Sequence, residues 1–390
     1  MAEAFIVAVA RSAGGKRDGR LAGMHPVDLA AEVIRDVVKR AEADPSLIED
    51  VILGCACPGG QQGANIGRYA ALVAGLPETT PGTTVDRQCG SSQQALHFAA
   101  ATVMSGLQDV VIAAGIESMT RVPMGLPWTL AAKHGFGSWR SPGFDAIYGS
   151  GTITQFAGAE MMAAKYGFSR EDLDAYAFES HKRAAAATRE GRFRSEIVPI
   201  TVTSTDGETI EHSVDEGIRF DASLEKIASM KTLQEGGVIT AANASQICDG
   251  AAALLVVNEN GLKALGAKPM ARIHHMTVLG GDPVIMLEAP IPATQRALER
   301  SGMAIGDIDL YEVNEAFAPV PLAWAKALNA DPARMNINGG GIALGHPLGA
   351  SGAKLMATLV SALHDRGGRY GLQTMCEAGG MANVTIVERL

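Results

Sequence analysis

The chain has no run of about 18 apolar residues free of charge, so no membrane-spanning helix is expected. It has no basic excess either. Against 33 Lys and Arg stand 42 Asp and Glu, a formal net charge of −9 spread along the chain. That balance disfavours a nucleic-acid scaffold or a membrane-surface binder. A nucleotide-type ligand is still compatible, because a few local basic residues can serve it. The opening "MAEAFIVAVARSAGGKRDG" lacks the form of a secretory signal, being acidic at Glu3 and only briefly apolar. Cysteine is scarce: Cys55, Cys57, Cys89, Cys248 and Cys376, an odd and scattered set. Such a set reads as reduced thiols, and a cytoplasmic location is the expectation. Cys55 and Cys57 form C-x-C with no matching pair elsewhere, which disfavours zinc, and no metal is expected.

What is present suits a large soluble protein. The 390 residues include 47% apolar and 19% charged residues and 45 glycines. At roughly 100–200 residues per domain, two or three domains are expected. One pattern is stated twice. A strand "AFIVAVA" leads to the helix "PVDLAAEVIRDVVKRA". Then follow a strand in "DPSLIEDVILGCA", a helix after Cys89, and the strand "DVVIAAGIESM". Further on, "ARIHHMTVLG" leads to the helix "PIPATQRALERSG". Next come "AIGDIDLYEVNEAFA", the glycine-rich "NINGGGIALGHPLGASGAKLMATLVSALHD" and the strands "RYGLQTMC" and "NVTIVER". Alternating strands and helices imply α/β layers with mostly parallel strands. The first half is expected over 1–119, completed by about 249–266, and the second over 267–390. Between them, 120–248 reads as an inserted loop domain with a binding role. Within it, Ser169 and Asp172 predict a helix N-cap before "REDLDAYAFESHKRAAAATREG".

Four positions invite chemistry. Cys89 is followed by Gly90, Ser91 and Ser92, so its thiolate would face a helix start and is expected to have a lowered pKa. His346 sits in "GGGIALGHPLGASG", among glycines and before Pro347. The G-x-G-x-x-G spacing is not met there, so a dinucleotide loop is disfavoured. By the internal repeat His346 stands in the second half where Cys89 stands in the first. Cys376 ends a strand before a glycine turn. Read singly it is more often inert, and Asn314 in "EVNEAFA" is more often an N-cap. Together the four supply a nucleophile, its base, a second acid/base and a polar orienter.

These segments resemble the thiolase family. "CGSSQQA", "NEAFA", "GGGIALGHPLGASG" and "MCEAGGMA" look like its four motifs in family order, across nearly the whole chain. The resemblance implies a thiolase-like α/β fold. Two pseudo-symmetric halves would form a layered α-β-α-β-α core, with an inserted domain that grips coenzyme A (CoA), and assembly as homodimer or homotetramer. It implies that Cys89 is acylated, that His346 takes its proton, and that Cys376 moves the proton on the acetyl α-carbon. Asn314 would hold a water that forms one oxyanion hole with His346. The backbone N–H groups of Cys89 and Ala378 would form the other. CoA contacts would come from Ser245 in "NASQICDGAAA" and Arg219 in "DEGIRFD". CoA would be a substrate, and no cofactor is expected.

Some positions depart from the family's common pattern. Ser92 stands where glycine is frequent, Gly341 where alanine is, and Ala378 where glycine is usual. Acetoacetyl-specific members often carry a His-Met pair early in the loop domain. Here Thr154 and Gln155, followed by Phe156, stand in that place and would face the acyl group. The chain is similar to degradative actinobacterial-type members acting on longer or ring-derived acyl chains, including steroid fragments. The expected reaction is thiolytic cleavage of 3-ketoacyl-CoA. The alternative is biosynthetic condensation of two acetyl-CoA. A non-catalytic carrier module would have lost the reactive residues. A papain-like hydrolase places His before Asn, whereas Asn314 precedes His346. A ketosynthase has a second histidine where Cys376 stands.

Overall fold

The computed structural model describes residues 2–203 and 207–390. The first half contains β1 (Phe5–Ser12), β2 (Gly15–Lys16), α1 (Pro26–Arg40), β3 (Asp50–Gly54), α2 (Ile66–Val73), β4 (Gly82–Val85), α3 (Ser91–Ser105) and β5 (Val110–Ser118). A long excursion follows with α4 (Leu126–Lys133), α5 (Pro142–Tyr148), α6 (Gln155–Tyr166) and α7 (Arg170–Arg189). It continues through β6 (Ile197–Val198), β7 (Ile200–Thr203), β8 (Thr209–His212) and α8 (Leu224–Ala228). The chain returns with β9 (Cys248–Val257) and α9 (Glu259–Leu265). The second half holds β10 (Ala271–Gly280), α10 (Pro290–Ser301), β11 (Leu310–Val313), α11 (Pro319–Leu328), α12 (Gly341–Leu344), α13 (Ser351–Arg366), β12 (Tyr370–Glu377) and β13 (Met381–Arg389).

The main strands run in the order β11-β12-β13-β10-β1-β9-β5-β3-β4. The repeat seen in the sequence is visible here. The set β3-β5-β9-β1 matches β11-β12-β13-β10 strand for strand. Each set has one parallel pair, β3 with β5 and β11 with β12, followed by antiparallel neighbours. The two sets join through a short ladder, with Phe5 opposite Arg272 and Ile6 opposite Ala271. The expectation of mostly parallel strands is therefore corrected. β9 and β13 each run against their neighbours. β13 follows β12 through a tight turn and needs no crossover helix.

Burial patterns sort the helices into layers. α1 buries one stripe, Leu29, Val33, Ile34 and Val37, as a helix with water on its far side must. That stripe packs on β1, β5 and β9 to form one outer core. α10 and α11 form the other outer core with β11, β12 and β13. α13 is different: Ser351 through Leu363 are all buried. It packs with α3 between the two strand sets, making the middle core. The result is the α-β-α-β-α layering. The central helices approach closely because the contact is made of small residues. A methyl added at Gly352 would lie 2.2 Å from the Gln93 nitrogen, and one at Gly54 2.3 Å from the Ser92 nitrogen. Ser92 also accepts a hydrogen bond from the Ala353 N–H at 2.9 Å.

α7 starts at Ser169 with the full capping box to Asp172, as the sequence predicts. The excursion is anchored by Arg11 of β1, which is fully buried and bonds Glu196 at 2.6 Å and Asp215 at 2.9 Å. α4 and α5 bury no residue, and Phe136, Trp139 and Ile147 are exposed around them.

Candidate active site

Cys89, Asn314, His346 and Cys376 all lie at the ends of elements where the two halves meet, and all are buried. Cys89 occupies the turn into α3. Gln88 before it is held at φ 50°, a left-handed conformation that costs energy in a non-glycine residue. Ser91 locks that turn: its hydroxyl donates to the Gln88 carbonyl at 2.6 Å and accepts from the Arg87 N–H at 2.9 Å. Cys89 packs with Leu348 and Met375 in one small cluster. Leu348 follows His346 by two residues, and Met375 directly precedes Cys376.

Cys376 senses the other sulfur: Cys89 is among the causes that raise its pKa, after burial. The lowered pKa expected for Cys89 is not found. Burial first, and the Glu377 carboxylate second, push its thiol up to about 12. The backbone N–H groups of Cys89 and Ala378 pull the other way and are outweighed. Burial drives the Cys376 thiol well above the ordinary range too. At rest the site therefore holds two neutral thiols. The two amides that favour the Cys89 thiolate are those named from the sequence as an oxyanion hole.

His346 is fixed on both ring nitrogens. Ser351 Oγ donates to the Pro347 carbonyl at 2.9 Å, so toward His346 Nδ1, 2.5 Å away, it acts as acceptor. Nδ1 therefore carries the proton and Nε2 a lone pair, which faces the Asn314 Nδ2 donor at 3.3 Å. Burial, helped by the Lys354 charge, lowers its pKa to about 3, so the imidazole is neutral. Lys354 donates to the Leu344 carbonyl at 2.6 Å, just before the histidine.

Asn314 is not the N-cap of the following helix. That position belongs to Ala318, and α11 starts at Pro319. Instead the Asn314 N–H bonds the Thr374 carbonyl at 3.0 Å, continuing the β11–β12 pairing toward Cys376. The segment carrying Ser245 is woven into the same region. Ser245 N–H bonds the Ala316 carbonyl at 2.9 Å, and His346 N–H the Gln246 carbonyl at 3.1 Å. Phe156 packs edge-on against Phe317 with ring centroids 5.5 Å apart, three residues from Asn314. Gln155 Nε2 reaches Met124 Sδ at 3.7 Å, at the mouth of the excursion. Arg219 is exposed, with its N–H bonded to His181 Nδ1 at 3.1 Å. It is not part of the buried cluster.

The three departures in the motifs have local explanations. Ala378 needs no positive φ, because Gly379 (φ 86°) and Gly380 (φ 76°) carry the turn. Ser92 bonds α13, as described. A methyl at Gly341 would fit only tightly, 3.3 Å from the Glu315 carbonyl and 3.5 Å from Asn314 Oδ1, so glycine relieves a close contact there.

Three supporting residues escape a reading of the motifs alone. Ser351 sets the histidine tautomer. Glu117 accepts from the N–H groups of Ala56 (2.8 Å) and Gly349 (2.9 Å) and from Gln62 (2.6 Å), which ties the Cys55–Cys57 loop to the loop after His346. Glu315 accepts from Ser180 (2.7 Å), Tyr176 (2.9 Å), Asn336 and the Ile342 N–H, which holds the Asn314 loop to α7 and α12. A carboxylate inside an apolar strand such as "VVIAAGIES" is the available signal, since burial obliges it to find donors.

Comparison with known proteins gives one answer. The family description "Thiolase, N-terminal domain" matches residues 4–260, and "Thiolase, C-terminal domain" matches residues 267–389. The steroid 3-ketoacyl-CoA thiolase FadA6 of Mycobacterium tuberculosis is 52% identical, over 100% of this chain and 95% of that protein. A 3-ketoacyl-CoA thiolase of Psychrobacter cryohalolentis is 42% identical, over 100% of this chain and 98% of that one. The crystal structure of the Bacillus anthracis acetyl-CoA acetyltransferase superposes with a TM-score of 0.91 at 37% identity, covering 100% of this chain and 99% of that one.

Proposed function

This chain belongs to the thiolase family, and from that premise we propose that Cys89, His346, Cys376 and Asn314 carry out its chemistry. The protein is an acyltransferase that cleaves 3-ketoacyl-CoA with a second CoA, giving acetyl-CoA and a shortened acyl-CoA. The observation that carries the residue assignment is the meeting of two buried thiols, Cys89 packed on Met375 next to Cys376, beside a doubly fixed imidazole.

Cys89 Sγ attacks the 3-keto carbon while its proton passes to His346 Nε2. With a thiol at about 12 and an imidazole at about 3, this transfer is uphill until the carbon–sulfur bond forms, so the two events are coupled. The Cys89 and Ala378 N–H groups receive the charge on the former ketone oxygen. The C2–C3 bond then breaks, leaving acyl-Cys89 and an acetyl-CoA enolate. The protonated Nε2 now donates to the enolate oxygen, together with a water held by Asn314. Cys376 gives its proton to C2, and acetyl-CoA departs. The Cys376 thiolate takes the proton of a second CoA thiol, whose sulfur attacks acyl-Cys89. His346 returns its proton to Cys89, and the cycle is ping-pong.

Ser245, Gln155 and Phe156 border the approach to this cluster, and Arg219 would meet the CoA nucleotide from outside. CoA enters as a substrate, with no resident cofactor in the scheme. Thr154 and Gln155 at the start of α6, with Phe156 over Phe317, favour acyl groups larger than acetoacetyl, steroid-derived chains among them. Among the described residues no helix is long and apolar enough to cross a membrane. A cytoplasmic location, supported by five free thiols, belongs to the same reading. So does assembly as a dimer or tetramer, supported by the exposed aromatic residues around α4 and α5. A panel of 3-ketoacyl-CoA substrates of rising acyl size, assayed for CoA-dependent loss of the ketoacyl enolate absorbance, tests the reading. Turnover of acetoacetyl-CoA alone would favour the biosynthetic alternative instead.

A further inference from the structure

Glu377 is a buried acid that the reaction above leaves unused. It follows Cys376 at the end of β12 and is fully buried. Among the described residues neither of its carboxyl oxygens has a side-chain hydrogen-bond partner, and the Asn383 backbone N–H is near enough to favour its ionised form. Its side chain lies under the turn that carries Cys89: a methyl built on Gly90 would fall 1.9 Å from Glu377 Oε1. Any larger residue at position 90 would have to displace the carboxyl group. Glu377 also stands among the charges that raise the pKa of both Cys89 and Cys376.

The surroundings are sparse in charge. From the turn before α3 come Arg87 and Cys89, and His97 of α3 interacts with Arg87 rather than with the acid. The neighbouring strand position gives Cys376, and β5 gives Glu117. Arg87 is the cation that favours ionisation of Glu377, but its Nε is likewise buried without a partner and forms no ion pair with the acid among the described residues. His97 is neutral, lowered to about 3 by burial. Glu117 is taken up by its three donors. Burial is the largest influence on Glu377 and pushes it up to about 8, so the acid is mostly protonated at neutral pH.

We propose that Glu377 is a positioning residue acting on the two cysteines through its charge: as a neutral acid it lets the thiols give up their protons, and as a carboxylate it holds them protonated. The thiolase reaction would then be suppressed from the alkaline side by a group that never touches substrate. This inference rests on the reading of Cys89 as nucleophile, but it concerns thiol ionisation, which can be measured without turnover.

The test is the rate of Cys89 alkylation by iodoacetamide, read by peptide mass spectrometry from pH 6 to pH 10, in the wild type and in Glu377→Gln. Both are expected to react within about twofold of each other at pH 7, where the acid is neutral. At pH 9 the variant is expected to react about tenfold faster, the thiolate gain of one pKa unit. Equal ratios at both pH values, or a variant slowed by one factor throughout, would overturn the proposal, since a merely structural role predicts that. The wild type alone gives a second reading should the variant fail to fold. A rise in rate that flattens above pH 8 supports the proposal, and an unbroken tenfold rise per pH unit to pH 10 overturns it. Turnover of 3-ketoacyl-CoA is measured separately. A protein inert toward that substrate yet showing the flattened curve refutes the catalytic reading and leaves the role of Glu377 standing.

Discussion

A thiol pushed up to about 12 is almost wholly protonated at neutral pH, so under the proposed mechanism the Cys89 thiolate must be made during the reaction rather than stored beforehand. Removing Cys89 as Cys89→Ala should abolish both half-reactions. Cys376→Ser should still allow Cys89 to be acylated by an acyl-CoA while losing carbon–carbon chemistry. Mass spectrometry after acyl-CoA treatment separates the two, and acyl groups found on Cys376 but never on Cys89 would reverse the assignment. Asn314→Ala removes the donor facing Nε2 and the site proposed for a water. Its kcat should drop about 100- to 1,000-fold, as for loss of one oxyanion donor, with a smaller change in KM. At this scale the candidate cluster was legible because its members sit beside turn-forming residues: Gly90 and Ser91 after Cys89, Pro347 after His346, Gly379 and Gly380 after Cys376. Their protonation states were not legible. The helix start argues for an easily ionised Cys89, and only the folded surroundings reveal that burial and Glu377 prevail. Glu117 was hidden for a related reason, since its partners Ala56, Gln62 and Gly349 are distant in sequence, and Ser351 because only the folded turn brings its hydroxyl onto the His346 ring.

Elements were legible where local rules decide them. The α1 stripe has helical spacing, and Ser169 with Asp172 forms the cap that its sequence spells. Ser169→Ala should cost about 1 kcal/mol in urea unfolding without altering turnover, because the cap lies outside the catalytic cluster. Strand direction was not legible, because a strand's sequence says little about which neighbour it meets. β9 pairs antiparallel with both β1 and β5 only after more than a hundred residues of excursion. The central crossing of α3 and α13 gives the severest test of packing at this scale. Gly352→Ala places a methyl 2.2 Å from the Gln93 nitrogen, a backbone atom with little freedom to yield. We expect a loss of about 3 kcal/mol measured by urea unfolding, or failure to fold. An alanine variant as stable as the parent would mean that the two helices can separate.

Across the whole molecule, buried histidines and buried acids set opposing responses to pH. His97 has its folded pKa lowered to about 3 from 6.5, so the unfolded chain takes up a proton that the native one refuses. Its contribution to stability is present above pH 6.5 and is lost as pH falls toward 3. Glu377, raised from 4.5 to about 8, runs the other way: its contribution is full below pH 4.5 and is lost as pH rises through 8. His97→Gln should therefore lose stability less steeply than the wild type between pH 6 and pH 4, by about 1.4 kcal/mol per pH unit, one proton's worth. Superimposable slopes in urea titrations at those pH values would refute this. The matched strand sets bear a last consequence. Were the two halves separate identical subunits, any change at one helix start would appear at both, and a sulfur could face only another sulfur across the seam. Joined in a single polypeptide, the two positions can evolve apart, one remaining a thiol while its counterpart becomes an imidazole.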